Sequence, residues 1–133
     1  MNTLFGAALL VLLTTANVAA QSVAEACMSL TGALVVADDG HFLGKLSSSF
    51  DTDSVFNEFG KGSEFSSDSI WNEFGKYGGE FSSTSAMNSN SLTPPMIIKG
   101  RQVIGALTTN KGYPNGVSPV AVGKACFSFK PPR

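Results

Sequence analysis

Residues 50–64 and 65–80 of this chain carry nearly the same text twice. Phe-Asp-Thr-Asp-Ser-Val-Phe-Asn-Glu-Phe-Gly-Lys-Gly-Ser-Glu is followed at once by Phe-Ser-Ser-Asp-Ser-Ile-Trp-Asn-Glu-Phe-Gly-Lys-Tyr-Gly-Gly-Glu. A degenerate copy occupies residues 81–91, opening on Phe81-Ser82-Ser83. A unit written in tandem builds the same local structure repeatedly, which places function in a surface shape rather than in one catalytic constellation.

Inside each unit the pattern predicts a single helical turn and a Gly-rich bend. Asp53 and Asp68 stand where N-caps would. Phe56 with Phe59, and Trp71 with Phe74, are three residues apart and would share one face of the turn. Gly60 and Gly75 would end it as C′ residues. Few aliphatic residues lie between 47 and 91, so the rings are expected to supply the core of that stretch.

Two further segments resemble each other. Val35 to Ser48 and Met96 to Thr109 each read as an apolar strand, a tight turn at Asp39-Gly40 or Lys99-Gly100, and a second strand carrying a Gly at Gly44 or Gly105. Gly supplies the positive φ of short hairpin turns, and Gly44 and Gly105 mark bulges or close backbone approaches. The expected fold class is mainly β with short helical turns: two related β-hairpins flanking a Gly/Ser/aromatic repeat region. A last strand is expected over residues 120–129.

The rhythm Ser69-Ile70-Trp71-Asn72-Glu73-Phe74-Gly75-Lys76-Tyr77-Gly78-Gly79-Glu80-Phe81-Ser82-Ser83, with Phe42-Leu43-Gly44-Lys45-Leu46 before it, resembles a group of small exported bacterial proteins. In that group Asn, an aromatic-Gly pair and a Tyr-Gly pair recur. The likeness spans residues 41–109 and implies export and a repeat architecture, with no activity attached. Here Phe stands where the group often has Tyr, and Glu58 and Glu73 where it often has Pro.

Residues 1–20 read as a secretory signal peptide. The apolar run Leu4 to Leu13 is too short to span a bilayer, and Val18-Ala19-Ala20 offers small residues before a cut. Residues 21–133 would then form one small disulfide-closed domain with no membrane span. Cys27 and Cys126 are the two cysteines, and in an oxidising compartment a pair at opposite ends of the mature chain reads as a disulfide. The net charge is −1, with Lys and Arg scattered singly, which gives a nucleic-acid backbone nothing to dock on.

Three candidate chemistries remain. The acids Asp51, Asp53, Glu58, Asp68 and Glu73, set in Gly-rich loops, point to calcium, which accepts mixed oxygen ligands; capping and solvation are the structural alternative. Trp71 and Tyr77 are the rings expected to line a ligand groove, such as one for a glycan. His41 is the only His; it offers a base for a hydrolase triad, but no Gly-x-Ser-x-Gly elbow accompanies it. The expected function is a non-enzymatic interaction or structural role in the bacterial periplasm or outside the cell, with an unidentified protein or envelope partner. A calcium- or glycan-binding module is the alternative, and a small secreted hydrolase or toxin the third.

Overall fold

Strand β1 (Leu34–Val36) is the second strand of a five-stranded sheet in a computed structural model that describes residues 22–132. The signal-peptide reading of residues 1–20 falls outside the described residues. β1 is flanked by β2 (Phe42–Lys45) and β3 (Met96–Lys99), and the sheet continues through β4 (Gln102–Leu107) to β5 (Gly116–Val117), in the order β2-β1-β3-β4-β5. The first four strands pair antiparallel, with Val35 opposite both Gly44 and Ile97, whereas β5 runs parallel to β4. A helix over residues 22–30 (α1) precedes the sheet, and a second, Pro119–Phe127 (α2), follows it. The architecture is mainly β with short helices.

Local chemistry explains the turns. Gly100 and Arg101 both have positive φ, 59° and 67°, closing a two-residue connection between Lys99 and Gln102. That is the mirror-image turn whose twist matches the strands. Register shifts fall opposite Gly44 and beside Gly105. A Cβ on Gly44 would sit 2.8 Å from the Asp53 carbonyl oxygen, so this glycine lets the next segment approach the sheet edge. There Lys45 donates its N–H to the Asp53 carbonyl at 2.7 Å, and Val55 donates back to the Lys45 carbonyl at 2.9 Å. The exposed edge of β2 is covered by chain rather than left open to pairing.

From that edge the chain runs from Ser48 to Ser91 as linked turns, with no helix among them. Its backbone bonds step by three: Asp51 N–H to Ser48, Ser54 to Asp51, Asn57 to Ser54, Gly60 to Asn57, and on through Gly75 to Asn72. The step slips where Gly79 bonds four residues back to Gly75, then recurs at Ser82 to Gly79, Ser85 to Ser82 and Ser91 to Asn88. The residue at each step is small or polar, and where it has a polar side chain that side chain usually caps the N–H two positions on. Ser54, Ser69 and Ser85 accept from Phe56, Trp71 and Met87 at 2.9–3.0 Å. Asn57, Asn72 and Asn88 accept from Phe59, Phe74 and Asn90 at 2.9–3.0 Å. Each Asn also donates through Nδ2 to the carbonyl six residues back, on Asp51, Ser66 and Ser82. These are Asx and Ser/Thr turns, and they replace the helical turns expected from the sequence. Asp53 and Asp68 therefore cap no helix, because the capping falls to the Ser and Asn one or more positions on.

The core lies between this run, the sheet and α2. Val35, Leu43, Leu46, Ile97 and Leu107 come from the sheet side, Val55, Phe56, Ile70 and Trp71 from the turns, and Val122 from α2. Helix α2 occupies residues where a strand was expected. Ser118 caps it by accepting from Ala121 N–H, and Pro119 opens it, a start signal that outweighs the β-branched Val120 and Val122. Gly123 makes the helix fit: a Cβ there would lie 2.9 Å from Phe56 Cε1 and 3.0 Å from Phe129 Cδ1. A disulfide joins Cys27 of α1 to Cys126 of α2, with Cα atoms 5.3 Å apart.

Candidate functional site

The linked turns sort the rings into two sets. Phe56, Trp71 and Tyr77 are buried, whereas Phe50, Phe59, Phe65, Phe74 and Phe81 are 87–93% exposed. The expectation that rings three apart share a face fails for a physical reason. Each three-residue turn redirects the chain, so Phe56 enters the core while Phe59 leaves it. The outward rings are nonetheless firmly placed. The N–H groups of Phe50, Phe59, Phe65 and Phe74 are each held by the side chain two residues earlier: Ser48, Asn57, Ser63 and Asn72.

Four clefts of about 430–480 Å³ separate these rings. The first lies between Phe50 and Phe59, the second between Phe59 and Phe65, the third between Phe65 and Phe74, and the fourth between Phe74 and Phe81. Successive clefts share a ring, so the five form a comb. A Glu directly precedes four of them, and Glu58, Glu64, Glu73 and Glu80 line the same clefts. Exposed apolar surface in such a row marks an interaction site more often than chance exposure.

Of the two residues expected to line a groove, Trp71 reaches the floor of the third cleft while Tyr77 lines none of the four, and both are largely buried. Trp71 is 1% exposed and donates from Nε1 to the Val55 carbonyl at 2.7 Å, tying two tandem segments together. Tyr77 is 7% exposed and donates its hydroxyl to Asp39 Oδ2 at 2.8 Å.

Asp39 sits on the turn between β1 and β2 and fastens it to the linked turns. Besides Tyr77 it meets Lys76 Nζ at 2.8 Å and accepts the His41 N–H at 3.0 Å. His41 stacks on Tyr77 with ring centroids 5.4 Å apart and places Nε2 3.1 Å from Asp68 Oδ1. The Lys76 hydrogen bond, then the His41 N–H and the Tyr77 hydroxyl, hold the Asp39 carboxyl well below the usual carboxylate range. Burial and then the hydrogen bond to Asp39 push the Tyr77 phenol up. Because Asp39 has its pKa depressed in the fold, its contribution is present above the unfolded value of about 4 and drains away as pH falls further. Acid titration followed by circular dichroism is expected to show Asp39→Asn less stable at neutral pH. Its stability should also depend less steeply on pH below about 4.

The acids proposed for calcium are not gathered. Asp51 pairs with Lys45 at 2.9 Å and accepts from Ser47 Oγ, while Asp68 meets His41. The backbone hydrogen bond from Asp53 N–H, followed by Lys45, lowers the Asp51 pKa. Asp53 offers its carbonyl to Lys45 N–H. Glu58 and Glu73 line different comb clefts. Among the described residues no group of three or more His, Cys, Asp or Glu could hold a metal ion. Eight serines of the linked turns, among them Ser54, Ser69 and Ser85, set their hydroxyls against backbone groups, as with Ser54 to the Ser47 carbonyl at 2.7 Å.

Among the described residues no helix is long and apolar enough to cross a membrane. No protein-family model, curated protein or solved structure matches the chain.

Proposed function

We propose that this chain is an exported, non-enzymatic interaction protein of the bacterial envelope or exterior, and that the phenylalanine comb is its working surface. In this reading residues 1–20 are removed on export. The two β-hairpins bracket copies of one turn unit, at residues 50–64, 65–80 and 81–91, each presenting rings to a partner. The observation that carries the reading is the contrast within single units: Phe56 and Trp71 fill the core while Phe59 and Phe74 stand about nine-tenths exposed on a hydrogen-bonded backbone. Nothing in folding requires those outer rings, and solvent-facing phenyl groups cost solubility, so their presence is explained by what they touch. A glycan groove is the weaker reading, because Phe offers a sugar no polar edge and the polar edges of Trp71 and Tyr77 are bonded to Val55 and Asp39.

The test is the triple substitution Phe59→Ser, Phe65→Ser and Phe74→Ser. Exposed positions away from caps usually change stability by less than about 0.5 kcal/mol each, so the melting temperature should stay near that of the parent. Co-sedimentation with isolated cell envelopes should fall by at least about tenfold, the effect of losing 1.4 kcal/mol of binding. Unchanged retention would remove the comb as the working surface.

A further inference from the structure

The comb also says what kind of partner it suits, an inference that rests on the interaction reading above. Each cleft pairs phenyl walls with carboxylates: Glu58 in the first, Glu58 and Glu64 in the second, Glu64 and Glu73 in the third, Glu73 and Glu80 in the fourth. Among the described residues the cation lining them is Lys130, in the first two. An aromatic face beside a carboxylate attracts a cation twice, through the ring quadrupole and through charge. The chain uses the first contact itself, setting Lys61 Nζ 5.2 Å from the Phe42 ring centre and Lys76 Nζ 5.6 Å from that of Tyr77.

The segment after α2 runs beside these clefts. Phe129 packs on Phe56 and Trp71 with ring centroids 5.0 Å apart. From there Lys130 lines the two clefts around Phe59, and Pro132 lines those on either side of Phe65. A Phe-Lys-Pro-Pro stretch therefore lies along the comb. Proline keeps a strand extended at low entropic cost and offers flat apolar faces to aromatic walls, the physics by which aromatic grooves take proline-rich peptides.

We propose that the phenylalanine clefts bind an extended, cationic, proline-containing polypeptide segment, of which residues 129–132 are the resident example. Two other occupants fit less well. A second copy of the chain would bring its own Glu58, Glu64, Glu73 and Glu80 against the same acids, and like charges in contact oppose docking. A bilayer with anionic headgroups meets the same four carboxylates.

The probe is a fluorescein-labelled oligomer of the triplet Lys-Pro-Pro, followed by fluorescence polarisation with the full mature chain at low ionic strength. It is expected to bind at least about tenfold more tightly than a Glu-Pro-Pro oligomer. The variant E58Q/E64Q/E80Q should keep the parent's melting temperature and lose about tenfold in affinity, on the usual scale for several exposed ion pairs. That loss should shrink in high salt, which screens exposed charges. Equal binding of the acidic oligomer, or parental affinity in the glutamine variant, overturns the proposal. So does a concentration-dependent dimer in sedimentation that the triple Phe variant abolishes, or flotation of the protein with phosphatidylcholine vesicles. If the Lys-Pro-Pro oligomer fails while the triple Phe variant still loses envelope retention, the ligand class is wrong and the interaction surface stands. If envelope retention is also unchanged, both fall.

Discussion

Replacing Cys27 and Cys126 together by Ser should cost about 4–5 kcal/mol, the largest loss expected from any paired surface change in this chain. The bridge spans 99 positions of sequence, so in the chain-entropy model it removes a large share of the freedom of the unfolded state. Little else fastens α1. Leu30 packs against the core, and Lys99 Nζ donates to the Met28 and Ser29 carbonyls at 3.1 and 2.9 Å, closing the helix's open end. Helix α2 by contrast is wedged against Phe56 through Gly123. Urea unfolding of the double variant should therefore show a much lower midpoint with residues beyond α1 still cooperative. A loss below about 1 kcal/mol would mean that the cross-link does not restrain the unfolded chain as the entropy model requires.

Trp71→Ala should destabilise the fold by about 3–5 kcal/mol, the range for removing a buried large aromatic. Two losses combine. The indole touches Phe56 and Phe129, with ring centroids 6.4 and 5.0 Å away, and its removal leaves a void between the turns and the segment after α2. The Val55 carbonyl also loses its donor, and an unsatisfied buried acceptor costs about 1–3 kcal/mol. Trp71→Phe separates the terms, since it keeps most of the packing and drops the hydrogen bond. As Trp71 is the only tryptophan, its emission also reports the site: blue-shifted and shielded from iodide in the native protein. Strong iodide quenching, or a Trp71→Ala loss below about 1 kcal/mol, would show that the ring is not the keystone its burial implies.

The coarse architecture was legible in the residues, and so was the disulfide. Gly40, Gly44 and Gly100 adopt positive φ, and strands rich in Val and Ile pair as β-branched residues do. The inward or outward choice of the rings was not legible by helical spacing, because the governing period is three. Its signal was present all the same: Ser48, Asp51, Ser54, Asn57, Gly60, Ser63, Ser66, Ser69, Asn72 and Gly75 put a small or polar residue at every third place. Read that way, Phe56 and Phe59 belong to different turns and are free to face opposite directions. Helix α2 was missed because Val120 and Val122 suggest a strand, while Ser118-Pro119 carries the stronger start signal. Trp71 and Tyr77 drew attention as polar-edged rings; their edges are spent on Val55 and Asp39 inside the fold. Glu58 and Glu73 drew attention as metal ligands, and the structure sets them beside exposed rings.

The three-residue bookkeeping of the turns has a consequence for how such a protein can change size. Most of the Ser and Asn side chains in the turns secure backbone positions no more than eight residues away, so an inserted copy of the 50–64 block would carry its own backbone bonds with it. Every added block would contribute two more protruding phenyls in register with the rest. Grip on a long, repetitive partner would then scale with block number through avidity rather than through better individual contacts. Gene-level duplication alone would be enough to retune the molecule's reach.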